Sequence, residues 1–185
     1  MRVISGTARG TKLESLEGLS TRPTIDRVKE GIFSSIQFAV PAAKVLDLFA
    51  GSGQMGIEAL SRGAERAVFV DSGKKPCDCI RQNLKELSLS DRAEVKMQNV
   101  ESFLSLCSEK FDIIFLDPPY KEELVSAVFE AVTRVANDTA AIICEVPKGL
   151  EVLENVNGFS LKKRYRYGKT ELVLFRKEDG QTEIY

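Results

Sequence analysis

Histidine is missing altogether from this 185-residue chain. Its absence removes the commonest general base and every Ser–His or Cys–His nucleophile pair. Cysteine is sparse: Cys77, Cys79, Cys107 and Cys144 are scattered, and none forms a CxxC pair. With no clustered ligands, a metal site is not expected, and the four read as reduced thiols. No apolar run approaches the roughly 20 residues of a membrane span. The opening "MRVISGTARG" lacks the apolar core of a secretory signal, so a cytoplasmic protein without a membrane role is expected. Neither sign of charge is in excess. The net charge of −1 gives no global sign of a nucleic-acid partner. Chemistry must come from carboxylates, backbone groups or a cofactor.

What is present is an ordinary globular composition, 43% hydrophobic and 29% charged, long enough for one domain whose core needs no staples. Residues 1–40 read as a preamble to that domain and 41–185 as its body. "RVISG" and "TKLES" flank a turn-rich "TARG" and predict a small hairpin. After Pro23, Val28, Ile32 and Ile36 fall at helical spacing, with Asp26 in the first turn.

From residue 45 the pattern alternates. Apolar runs at 45–50, 67–71, 93–98, 111–117 and 140–146 predict strands, and 54–62, 74–87, 100–107 and 124–136 predict helices. Strands that are apolar almost throughout, separated by helices, call for a parallel sheet covered on both faces. The tail differs, since 161–167 and 171–176 joined by "GK" read as an antiparallel hairpin. The expected fold is α/β and Rossmann-like: a mostly parallel, seven-stranded sheet ending in that hairpin. The tail is also basic. "LKKRYRYGKTELVLFRK" interleaves Tyr165 and Tyr167 with positive charge, which reads equally as a phosphate track or as a solvated strand face.

Two motifs carry chemistry. In "VLDLFAGSGQMGIEAL", Gly51, Gly53 and Gly56 satisfy G-x-G-x-x-G between a strand and a helix. Glycines there let a ligand lie against the main chain at the carboxyl end of the first strand. The motif alone does not choose a cofactor. Asp47 does more, because a carboxylate just below the loop suits an ammonium and sits poorly beside a pyrophosphate. Asp71, ending the next strand, is placed to accept from a ribose diol.

The second motif is "IIFLDPPY". A core strand ends in an acid, two prolines and an aromatic ring. The prolines remove backbone donors and leave acceptors, the Asp117 carboxylate and the carbonyls of Asp117 and Pro118. Those suit an exocyclic amine, while Tyr120 offers a face for stacking a planar base. Holding both N–H bonds aims the nitrogen at an electrophilic methyl, and no histidine is needed.

On these residues the chain resembles the bacterial 16S ribosomal RNA guanine-N2 methyltransferases of the RsmD family, and the likeness runs nearly end to end. "RVISGTARGTKL" is similar to that family's opening, "TRPTIDRVKEGIF" to its RPT segment, "LDLFAGSGQMGIEALSRGA" to its cofactor loop, and "DPPY" and "YGKTEL" complete the order. The resemblance implies a class I methyltransferase fold, S-adenosylmethionine as cofactor, and 16S rRNA within the small ribosomal subunit as partner of a monomeric enzyme.

By position it implies that Asp47 and the loop Phe49, Ala50, Gly51, Ser52 and Gly53 line the methionine end. It gives Asp71 to the ribose, and Asn99 with the Val100 backbone to the adenine. Asp117, which would also touch the cofactor, Pro118, Pro119 and Tyr120 would hold the guanine. Arg22, Pro23, Thr24 and Arg27 would stand at the mouth, and Arg166 would meet the RNA. Two residues depart from the family pattern: Asp71 stands where a glutamate is common, and Asn99 where an aspartate is frequent. A DNA or other RNA amino-methyltransferase (adenine-N6 or cytosine-N4), an NAD-dependent oxidoreductase and a non-catalytic RNA-binding assembly factor remain as alternative readings.

Overall fold

The computed structural model describes residues 1–16, 23–118 and 122–177, the side chains of 23–25 and 122–127 excepted. Helix α1 (Pro23–Ser35) opens the described body. It starts on a proline, whose fixed φ suits a first helical turn. Then β1 (Lys44–Leu48), α2 (Gln54–Ser61), β2 (Arg66–Asp71), α3 (Lys74–Glu86), β3 (Ala93–Met97), α4 (Val100–Leu106), β4 (Phe111–Leu116), α5 (Glu122–Val135) and β5 (Ala136–Pro147) alternate. Strands β6 (Asn155–Val156), β7 (Phe159–Tyr167) and β8 (Thr170–Lys177) finish the sheet.

The strands form one sheet in the order β3-β2-β1-β4-β5-β8-β7-β6. The first five are parallel and the last three join antiparallel. The sheet has eight strands where the sequence predicts seven. The addition is β6, two residues long, whose Val156 is buried beside Phe159. Two residues are too few to show any period, so that strand is invisible to a pattern argument. The predicted hairpin near the start is reduced to one bridge, Arg2 with Lys12. Backbone bonds from Val3 to Thr11, and from Gly10 to Val3, flank it.

Because side chains alternate along a strand, the sheet buries two separate cores. Val45, Phe69, Ile113, Phe115, Ile143 and Leu174 pack with Ile32, Phe33, Ile57, Leu60, Ile80 and Leu84, which lie on α1, α2 and α3. Leu46, Val68, Ile114, Ile142 and Val173 face the other way, onto Val100, Phe103 and Leu104 of α4 and Val128, Phe129 and Val132 of α5. Among the described residues no helix is long and apolar enough to cross a membrane. The cysteines are free thiols, Cys77 and Cys144 buried.

Glu58, on α2 and fully buried, ties the first residues to this body. Its carboxylate accepts from the backbone N–H of Ile4 (2.8 Å) and Ser5 (3.0 Å) and from Arg62 Nε (2.8 Å). The buried Lys29 ammonium lies 3.6 Å away and donates to the Arg2 carbonyl at 2.7 Å. A charge held inside a protein persists only when paired and bonded in this way. Arg62 also covers the Phe33 ring at 4.6 Å.

Strand β1 lies between β2 and β4, so consecutive crossovers leave it in opposite directions. The crevice beyond its carboxyl end is where such sheets take ligands. The loop after β1, the end of β4 and the end of β5 all open there.

Candidate functional site

The loop after β1 is built for close approach. Phe49, Gly51 and Gly53 all have positive φ, at 56°, 56° and 74°. For Phe49 this is a conformation that costs a non-glycine residue about 1 kcal/mol or more. A side chain at Gly53 would press on Ile80 and Phe69, and one at Gly56 would enter the Phe69 ring. Packing therefore requires both glycines, and the turn requires Gly53 besides.

Gly53 stands at the N-cap of α2 and brings no side-chain bond. Asp47 does that work from the strand below: its Oδ2 accepts from the Gly56 N–H at 2.9 Å, satisfying a first-turn donor. Asp71 braces the loop from the other side. Its Oδ2 accepts from Gly51 N–H at 3.0 Å and its Oδ1 from Gly73 N–H at 2.8 Å. A carboxylate has acceptor capacity beyond two bonds, so a diol at Asp71 would share oxygens already holding the main chain.

A cavity of about 200 Å³ lies on the α1–α2 face of the sheet. It joins the β1 side to the β4 side: Asp47, Gln54 and Met55 line it, and so do Phe115, Leu116 and Asp117. Glu145 of β5, Tyr167 of β7, and Val28 and Lys29 of α1 complete much of the wall. The register explains the grouping. Asp47 pairs with Phe115 across β1 and β4, and Leu116 with Cys144 across β4 and β5. Asp117 and Glu145 are the next residue on each strand.

The cavity is acidic. Burial pushes the Asp47 carboxyl up to about 8, the Gly56 bond opposes this, and Asp117 and Asp71 add to the rise. Asp117 is exposed as a residue, yet packing around its carboxyl and the nearby Glu145 push it up to about 7. Tyr167 is driven well above its usual range, by burial first and then by the negative charge of Glu145. Gln54 Oε1 is buried without a hydrogen-bond partner among the described residues. An unpaired buried acceptor beside a cavity marks a place where a donor is missing.

The residues singled out from sequence divide by location. Asp47, the 49–53 loop, Asp71 and Asp117 converge on this end of the sheet, and Pro118 follows buried. Asn99 stands at the start of α4, where its Oδ1 caps the helix by accepting from Ser102 N–H at 3.0 Å, and Val100 is buried behind it. Arg27 is exposed on α1. Arg166 projects from β7 into solvent, 3.3 Å from Glu171 Oε1. Arg22, Pro119 and Tyr120, like the side chains of Pro23 and Thr24, lie outside the described residues.

Glu145, Tyr167, Gln54 and Met55 are lining residues that the motif reading did not name. For Glu145 a signal exists: "AIICEV" ends an apolar strand in an acid, as "IIFLDP" does.

With this geometry in view, the likenesses to other proteins take on meaning. The sequence model of the family described as "Conserved hypothetical protein 95" matches residues 1–176. The chain is 39% identical over 182 residues to "Putative rRNA methyltransferase YlbH" of Bacillus subtilis, covering 96% of this chain and 99% of that one. It is 35% identical over 171 residues to "Ribosomal RNA small subunit methyltransferase D" of Haemophilus influenzae, covering 89% and 88%. The solved structure "Putative methyltransferase yhhF from Escherichia coli" superposes with a TM-score of 0.86 at 33% identity, over 96% of this chain and 98% of that one.

Proposed function

This chain belongs to the conserved hypothetical protein 95 family, that of the ribosomal RNA small subunit methyltransferases D, and from that premise we propose that it methylates the exocyclic N2 of a guanine in small-subunit ribosomal RNA, with S-adenosylmethionine as donor. The observation that carries the reading is the shared cavity. Asp47, beneath the glycine loop, and Asp117, at the end of β4, line one space.

The residues present fit that cofactor. A wall containing Asp47 and Asp117 favours a ligand bearing positive charge and disfavours a pyrophosphate. Asp47 and the 49–53 loop would hold the amino-acid end and Asp71 the ribose. When bound, S-adenosylmethionine supplies a methyl group made electrophilic by its sulfonium. The acceptor side belongs to the chain's own groups. The Asp117 carboxylate and the Pro118 carbonyl accept the two N–H bonds of the amine, which fixes the direction of the nitrogen. Tyr120 is proposed, on the sequence alone, to stack on the base.

An aromatic amine need not lose its proton before attack. After the C–N bond forms, the surplus proton can pass to an Asp117 oxygen, whose pKa near 7 suits proton exchange at neutral pH. That accounts for a transferase without histidine.

The test is direct. Labelled S-adenosylmethionine is incubated with the protein and undermodified small subunits, naked 16S RNA or duplex DNA, and digested RNA is mapped by mass spectrometry. Label on a single guanine as N2-methylguanine is expected. Label confined to DNA, or found on adenine or cytosine, overturns the assignment.

A further inference from the structure

Glu145 is hard to explain as packing. It ends the run Ile142–Ile143–Cys144, lines the cavity, and adds a second acid beside Asp117. Two acceptor groups side by side on one cavity wall match a ligand edge that presents two adjacent donors.

Resting on the guanine reading above, we infer that Glu145 is the residue that selects guanine, its carboxylate accepting the ring N1–H while Asp117 accepts the neighbouring N2 amine. The chemistry of the bases makes this discriminating. In adenine and cytosine the ring nitrogen beside the amine is an acceptor. In guanine it is a donor. Two adjacent carboxylates therefore match guanine and repel the other two, since an ionised carboxylate only accepts.

The fold supplies the spacing. Asp117 and Glu145 follow the paired residues Leu116 and Cys144 on parallel neighbouring strands, which lie about 4.8 Å apart. Two acceptors so placed can converge on adjacent donors of one flat edge. Glu145 also lies on the side of β4 away from β1, and so away from the glycine loop. Tyr167 lines the cavity beside it, and its hydroxyl, kept protonated by burial and by the Glu145 charge, is a donor that can orient that carboxylate.

The experiment uses small subunits carrying guanine or 2,6-diaminopurine at the nucleotide mapped by mass spectrometry. Diaminopurine keeps the N2 amine and turns N1 into an acceptor. The wild-type protein should prefer guanine by about 100-fold or more in kcat/KM. Glu145→Gln can present its amide N–H to that acceptor. Its preference should fall by about tenfold or more, with guanine losing and diaminopurine gaining, while calorimetric affinity for S-adenosylmethionine stays within about threefold. A preference unchanged in Glu145→Gln overturns the inference, as does a loss of cofactor affinity large enough to account for the whole effect. Tyr167→Phe, which preserves shape, should move the preference in the same direction by about threefold. If Glu145→Gln does not fold, no shift in Tyr167→Phe overturns the inference by itself. A wild-type protein inactive on guanine would instead sink the function proposed above, and so the two failures are separable.

Discussion

Two sets of acids lie on the same face of the sheet and are treated in opposite ways. Glu58 accepts from two backbone N–H groups and Arg62, and has Lys29 close by. Asp47 has the Gly56 N–H, and the charges that act on it are Asp117 and Asp71, both acids. Lys29 lines the same cavity as Asp47, yet its ammonium donates to the Arg2 carbonyl and pairs with Glu58. The first set is compensated internally and holds the opening residues onto α2. The second leaves Asp47 and Asp117 perturbed, as sites that await a charged or donating ligand do. Charge balance, more than burial, separates the acid that holds the fold from the acids reserved for chemistry.

Mutation can break this contrast. Glu58→Ala would strip acceptors from Ile4 and Ser5 and take from buried Lys29 its hydrogen-bonded carboxylate, leaving Asp26 as the acid that still acts on it. A loss of about 3–5 kcal/mol in denaturant unfolding is expected, and a loss below about 1 kcal/mol would erase the distinction. Asp117→Ala should do the reverse. Single-turnover methyl transfer should fall about 10²- to 10³-fold, while unfolding stability is unchanged or higher and cofactor affinity is largely kept. A wild-type rate would remove Asp117 from the reaction.

The pH dependence sharpens the same point. An acid whose folded pKa lies above its unfolded value keeps a proton that the unfolded chain releases. Asp47, raised from 3.8 to about 8, therefore lowers folding stability as pH climbs through that window. Asp47→Asn should show a shallower decline between about pH 4 and pH 8 in parallel melts, and identical slopes would argue that Asp47 is not perturbed. Affinity for S-adenosylmethionine should rise over the upper part of that window as the acids ionise. The smallest effect is expected at the exposed strip. Lys163→Glu with Arg166→Glu should weaken RNA binding and flatten its salt dependence by about two counterions at most. Unchanged binding would return that strip to solvent.

Much of this architecture is legible in the chain because its signals are local. The alternation of apolar strands with helices needs only near neighbours to be read, and Gly51, Gly53 and Gly56 mark their turn within six residues. Asp117 stands out because an acid and two prolines directly follow a core strand. Other features depend on partners far along the chain. Asn99 also caps α4 through its Oδ1, a role that exists only once the helix begins at Val100. The ion pair of Arg166 with Glu171 likewise exists only through the β7–β8 register. Glu58 gives no hint of its role, since its backbone donors, Ile4 and Ser5, lie 54 and 53 residues before it.

The sequence by itself determined the order of elements, the glycine turn and the acceptor-rich strand end, because each follows from the periodicity and stereochemistry of a few adjacent residues. Only the tertiary structure decided that Asp47, Asp117, Glu145 and Tyr167 share one cavity, and that Glu58 meets Lys29 and Arg62. Which charges meet is set by strand order and register, and those are fixed by packing across the whole sheet.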